Sequence, residues 1–254
     1  MLRQAEISQF KEQGFLIREL LGLEEVRALA AALDEIERER RTEDPALTFA
    51  GSFLTEIYDV PKRKGVLSRL VRHPKLLETV VALLGGPVEI SAGLMIDKPE
   101  VTNWEVGWHQ DTSVYSQDIP DNFPGEMRGG LPTFRPLDDT MSKCVTARIA
   151  IDVATMERGN LFILPGTHKK NVWPDGAKAF ANETGMSCSQ PAGSVLYFCP
   201  LIMHRAEKNC VPGTRRRVIH LTYRPANLRL PGSDWYPWPH PRPLTPLEDL
   251  WSDI

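Results

Sequence analysis

From Val88 onward, short apolar runs alternate with clusters of turn residues: 88–96, 144–154, 161–164, 194–203 and 216–223. Segments of that length separated by Gly, Pro, Asn and Asp favour strands over core helices, and a succession of them predicts a β-sandwich or barrel. Residues 112–143 interrupt the rhythm. They are rich in Pro, Gly and Asp, and a connection that long is expected to be a lid over a site.

The first 87 residues read differently. Ser8 is a candidate cap for a short helix through Gln13, ended by Gly14, with a short strand at Phe15-Leu16-Ile17. Leu23 to Arg41 is strongly amphipathic, with Val26, Leu29, Ala30, Leu33 and Ile36 at helical spacing. A further helix is expected from Lys75 to Leu84, closed by Gly85-Gly86-Pro87. The tail from Pro225 carries many prolines with Trp235, Trp238 and Trp251, which predicts packing against the body or a partner. With no internal repeat or clear boundary, the 254 residues are expected to form one domain: helical 1–87, β core 88–224 with the 112–143 insertion, and tail 225–254.

Composition narrows the function classes. A net charge of −3 gives no bulk attraction to nucleic acid or membrane. The sequence shows neither the apolar core of a signal peptide near Met1 nor an apolar run long enough to span a bilayer, so a cytoplasmic setting is expected. Cys144, Cys188, Cys199 and Cys210 lack metal-type spacing and read as reduced thiols.

Trp108-His109-Gln110-Asp111 carries the chemistry. On an extended segment, side chains two apart share a face, so His109 and Asp111 can approach one metal ion from the same side. His204 closes a Gly-led apolar run, Gly193 to Met203, which would deliver its imidazole into the mouth of a barrel. Two histidines and a carboxylate form the facial triad of non-haem Fe(II) oxygenases, with positions left open for ligands. The bland readings are a surface turn for His109 and Asp111 and a core histidine for His204. Arg215 follows His204 across the turn Val211-Pro212-Gly213-Thr214, and an arginine fork there suits the far carboxylate of a dicarboxylic co-substrate. Strand alternation puts Arg215 and Arg217 on one face and Arg216 on the other, which makes Arg217 the competing candidate.

Several motifs in order resemble the phytanoyl-CoA dioxygenase family of Fe(II)/2-oxoglutarate oxygenases. They are Lys98-Pro99, Trp108-His109-Gln110-Asp111, Leu161-Phe162-Ile163-Leu164-Pro165-Gly166-Thr167-His168-Lys169, then His204, Asn209 and Arg215, within roughly residues 90–224. The resemblance implies a double-stranded β-helix, a jelly-roll of cupin type, with flanking helices. It implies that His109, Asp111 and His204 hold Fe(II), and that Arg215 pairs with the C5 carboxylate of 2-oxoglutarate. It places Leu94 and Arg148 where family members contact the co-substrate, and makes His168 structural. With O2, such an enzyme is expected to oxidise a C–H bond of a small or medium metabolite, by hydroxylation first of all, with release of succinate and CO2; desaturation, cyclisation and epoxidation are open to the same oxidant. Asp111 argues against the halogenating branch, where a small residue replaces the carboxylate.

The chain departs from the family at Arg148, at Arg158-Gly159-Asn160, at Ser194 and at Arg205, which points to a substrate unlike a fatty acyl-CoA. An inward Arg148 has alternative partners in an anionic substrate or Asp152. Two other readings use the same triad: a cupin-type metal enzyme working without 2-oxoglutarate, and a non-catalytic metal-binding module.

Overall fold

Along Arg217–Pro225, apolar Ile219, Leu221 and Tyr223 alternate with Val218, His220 and Thr222, and this parity decides which residues meet the core and which meet the interior of the barrel. A computed structural model describes residues 2–170, 172–173 and 176–247. Its strands are β1 (Phe15–Glu19), β2 (Leu47–Ala50), β3 (Phe53–Ile57), β4 (Val88–Asp97), β5 (Val106–His109), β6 (Val114–Tyr115) and β7 (Gly125–Arg128). They continue with β8 (Leu131–Phe134), β9 (Val145–Ala150), β10 (Leu161–Leu164), β11 (Met186–Cys188), β12 (Ser194–Phe198), β13 (Met203–Ala206) and β14 (Arg217–Pro225). The helices are α1 (Gln4–Gln13), α2 (Leu23–Glu39), α3 (Val66–Leu70) and α4 (Pro74–Leu84).

Two antiparallel sheets form the double-stranded β-helix. The larger has the order β1-β12-β9-β14-β4-β3-β2 and the smaller β11-β10-β13-β5. Adjacent rungs of the larger sheet face opposite ways. Val195, Ile149, Ile219, Met95 and Ile57 lie in register across five strands and belong to the main core cluster with Leu29 and Leu33 of α2 and Leu76 and Val80 of α4. The next rung, Leu196-Arg148-His220-Leu94, turns the other way and brings Arg148, His220 and Leu94 to the cavity between the sheets. Strand β9, central between β12 and β14, is buried at every position.

The helices start and stop for local reasons. Helix α1 begins at Gln4, earlier than a Ser8 cap implies, because the Glu6 carboxylate accepts from the Arg3 amide at 2.9 Å. It ends where Gly14 takes φ +85° and returns its amide to Phe10 O at 2.7 Å. Helix α2 stops at Glu39, with Arg40 in the left-handed region. Pro74 opens α4, capped by His73 Nδ1 on the Leu76 amide.

Three features differ from the sequence reading. The hairpin β2–β3 and helix α3 lie inside the segment read as helical or irregular, because their apolar residues are too few to show a period. The run 194–203 is two strands: β12 sits in the larger sheet, Cys199–Ile202 cross over, and β13 sits in the smaller one. The 112–143 insertion folds a three-stranded sheet of its own, β6-β8-β7. Trp235 and Trp238 are buried, with the Trp238 indole donating to Ser91 O, whereas Trp251 lies outside the described residues. All four cysteines are free, and among the described residues no helix is long and apolar enough to cross a membrane.

Candidate active site

His204 on β13 lies directly opposite His109 on β5 in the ladder register, so their rings stand 4.1 Å apart at the centroids. Asp111 follows the end of β5. Its amide donates to Pro200 O at 2.9 Å, while the Gln110 amide group donates to Leu201 O and accepts from the Trp173 backbone. The crossover at Cys199–Ile202 therefore clamps the residues that follow β5.

Each imidazole is oriented by its backbone. His109 Nδ1 meets Gly107 O at 2.8 Å and His204 Nδ1 meets Ile202 O at 2.9 Å. A carbonyl on Nδ1 fixes the tautomer that leaves Nε2 as a lone-pair donor. Both Nε2 atoms face the Asp111 carboxylate, one on each oxygen, at 3.7 Å. One ligand atom from each of the three residues lies within 4.8 Å of the others. Burial first, then the neighbouring His109, hold His204 at about 4, so it stays neutral, the form that binds a metal. Two nitrogens and one carboxylate oxygen converging from one side match a hard-to-borderline divalent cation with open positions.

The triad opens onto a cavity of about 430 Å³ between the sheets. Three of the basic side chains that line that cavity are almost fully buried: Lys98, Arg148 and Arg216, exposed by only 1 %, 1 % and 2 %. None of them makes an ion pair among the described residues. Lys98 Nζ donates to Glu207 O at 2.7 Å and Ala206 O at 3.4 Å, and Arg148 Nη1 donates to Gln190 Oε1. Arg148 Nη2 and Arg216 Nε are buried without a partner. Burial, then Arg216 and Arg148, push Lys98 down to about 6; burial also lowers Arg216 to about 10, opposed by Asp97 and Asp152. Buried unpaired cations are costly unless an anion completes them, so this wall is built for a carboxylate or phosphate ligand.

Leu94 and Arg148 thus reach the cavity with the triad, and Arg215 does not. Arg215 turns to the helical face, where Nε donates to Asp97 Oδ2 at 2.7 Å and Nη2 to Glu37 Oε2 at 2.8 Å. Arg217 lies on the same outer side, bound to Asp152 and Asp34. The alternation expected across 215–217 is present with the opposite assignment of faces. Ile219, Leu221 and Tyr223 commit the odd positions to the helical core, which sends Arg216 inward with His220 and Thr222. Counting backward from those residues would have found Arg216, whereas counting forward from His204 depends on an unknown hairpin length. His168 packs under Gly14, with Nε2 on Lys11 O at 3.2 Å, away from the triad. Lys98 was visible only as part of a motif, and His220 carried no signal beyond strand parity.

The fold and its cation-ready triad define a class, the mononuclear non-haem dioxygenases that use Fe(II), 2-oxoglutarate and O2. The profile of the phytanoyl-CoA dioxygenase (PhyH) family matches residues 10–217, and the chain belongs to that family. It is 23% identical over 248 residues to an ectoine dioxygenase of Stutzerimonas stutzeri, covering 85% of this chain and 74% of that one. It is 24% identical over 227 residues to an L-proline trans-4-hydroxylase of Streptomyces griseoviridis, covering 78% and 77%. The crystal structure of EctD from S. alaskensis with 2-oxoglutarate and 5-hydroxyectoine superposes with a TM-score of 0.72 at 18% identity, over 96% of this chain and 83% of that chain.

Proposed function

We propose that His109, Asp111 and His204 hold Fe(II), and that Arg216, with Lys98 and Arg148 beside it, holds the far carboxylate of 2-oxoglutarate. Bound together, iron, co-substrate and O2 supply the oxidation of a C–H bond, with succinate and CO2 released. The observation that carries this reading is one cavity with the triad on one wall and, on another, three buried basic side chains that have no carboxylate partner among the described residues. The protein's own contribution is placement. Gly107 O and Ile202 O fix the imidazoles, Pro200 O fixes Asp111, and Gln190 holds Arg148. The reaction we assign is hydroxylation of a small metabolite in the cytoplasm. Support for the size class comes from the relatives, whose names give ectoine and L-proline, and from the cavity. A cupin-type enzyme without 2-oxoglutarate, or a metal-binding module, leaves the buried guanidiniums without a purpose.

Anaerobic titration of the Fe(II)-loaded protein with 2-oxoglutarate tests this. A saturable visible charge-transfer band, lost in His204→Ala, is expected. Metal binding without a band would return the weight to the two other readings.

A further inference from the structure

His220 stands in the middle of the cavity wall, on the rung between Arg148 and Leu94, and no hydrogen bond reaches its ring from any described residue. Phe198 places it relative to the triad. The Phe198 ring lies 5.3 Å from the His204 ring and 6.2 Å from the His220 ring, edge-on to the latter. Burial, then Arg148 and Arg216, keep the imidazole neutral. A neutral imidazole offers one donor and one acceptor, and both are open here.

The neighbouring groups narrow what can match it. Two rungs on, facing the same way, Thr146 Oγ1 and Thr222 Oγ1 share a hydrogen bond at 2.9 Å, so this part of the wall is hydroxylic and uncharged. The charged side chains on the cavity away from the three cations are already engaged. Glu56 accepts from the Tyr58 hydroxyl at 2.6 Å, and Arg128 donates to Glu126 at 2.6 Å. Tyr115 and Trp235 supply aromatic lining. A pocket with an open donor–acceptor group, flanking hydroxyls and aromatic rings suits a ring whose edge carries hydroxyls and whose face is C–H.

We propose that His220 is a specificity-determining residue, reading a hydroxyl of an uncharged cyclic substrate that lies against Tyr115 and Trp235. This rests on the assignment of the same cavity to Fe(II) and 2-oxoglutarate. A site built to hydrogen-bond a hydroxyl discriminates strongly against analogues without one, because its own polar group is then left unpaired.

The test uses the full chain loaded with Zn(II), which blocks turnover, and saturated with 2-oxoglutarate. Binding of myo-inositol, methyl α-D-glucopyranoside and cis-1,2-cyclohexanediol is followed by tryptophan fluorescence, with L-proline as the charged comparison. At least one polyol should bind more tightly than L-proline. His220→Phe should weaken that polyol at least about tenfold with 2-oxoglutarate affinity unchanged, and His220→Gln, which keeps a donor and an acceptor, should restore most of it. Should His220→Phe not fold, cyclohexanol against the diol in wild-type protein makes the same comparison from the ligand side, and the diol should win. The proposal is overturned if no polyol binds, if L-proline binds best, if His220→Phe keeps the polyol, or if the diol has no advantage. Loss of 2-oxoglutarate binding in the wild type would instead bring down the co-substrate assignment on which it rests.

Discussion

Arg215 donates from Nε to Asp97 Oδ2 at 2.7 Å on the helical side of the larger sheet, and its neighbour Arg216 points into the cavity. The two arginines therefore have separable phenotypes. Arg215→Ala strands Asp97, whose side chain is fully buried, and breaking a buried pair from one side costs about 3 kcal/mol. Arg216→Met removes a cation that has no carboxylate partner in the free protein, so thermal stability should hold or rise. Its cost falls on 2-oxoglutarate. Loss of a charge-assisted pair worth about 2–3 kcal/mol raises Kd by about a hundredfold. Thermal melts and co-substrate titrations on both variants check this. An Arg215→Ala protein that loses co-substrate more than Arg216→Met does would reverse the assignment.

The metal site has a similarly sharp expectation. His204 and His109 each face a different oxygen of Asp111 at 3.7 Å, so removing either imidazole leaves two ligands on an open edge. His109→Ala and His204→Ala should retain less than about a hundredth of the wild-type iron affinity, a larger loss than the 10–100-fold typical of outer partners. Metal content after desalting measures it, and a variant that stays iron-loaded would remove that histidine from the set.

How much of this could be read without coordinates depends on how local each signal was. The triplet at 109–111 and the run ending in His204 could be paired by chemistry, since few arrangements of two histidines and a carboxylate have another use. The strand rhythm after Val88 was legible because short apolar runs bounded by turn residues are the pattern that buried strands leave in a sequence. What failed was anything requiring a count across a turn. Arg215 was favoured from its distance to His204, although the alternation Ile219, Leu221, Tyr223 already fixed the parity of β14 and pointed to Arg216. The break between β12 and β13 was hidden because Cys199–Ile202 are as buried as the strands they join, and apolar composition does not reveal a change of sheet. His220 looks like any residue of a strand, and only the register beside Arg148 shows what it faces.

Lys98 gives a pH dependence with a definite sign. Pushed down to about 6 by burial and by Arg216 and Arg148, it is mostly neutral in the free protein above that pH. A carboxylate bound beside it favours the ammonium, so binding takes up a proton. The affinity for 2-oxoglutarate should be flat below pH 6 and fall as pH rises above it, by at most about tenfold per unit. Calorimetry at pH 8 in buffers of different ionisation enthalpy should show proton uptake, and Lys98→Met should abolish it. An unchanged uptake in Lys98→Met would place the titrating group elsewhere.

The insertion at 112–143 makes the last expectation. The tip between β7 and β8 is Gly129-Gly130, and both take positive φ, +57° and +73°. A Cβ on Gly129 would come within 2.3 Å of Tyr58 Cβ, and one on Gly130 within 2.9 Å of Pro45. The hairpin tip is thus seated on the segment around β2 and β3, next to the Tyr58–Glu56 hydrogen bond at the cavity. Gly129→Ala combines a left-handed conformation, costing about 1–2 kcal/mol for a residue with a Cβ, with a clash that the tip can relieve only by lifting. If the insertion acts as a lid, the variant should be cut faster within 112–143 under limited proteolysis and should consume 2-oxoglutarate faster without substrate, since water then reaches the site. Because Arg216, Lys98 and the triad lie outside the insertion, the affinity for 2-oxoglutarate should stay within about twofold, the range of a surface-type change. Faster cleavage with unchanged uncoupled turnover would make the hairpin a structural flap with no gating role. A parallel loss of co-substrate affinity would show that the insertion supports the whole cavity and does not merely cover it.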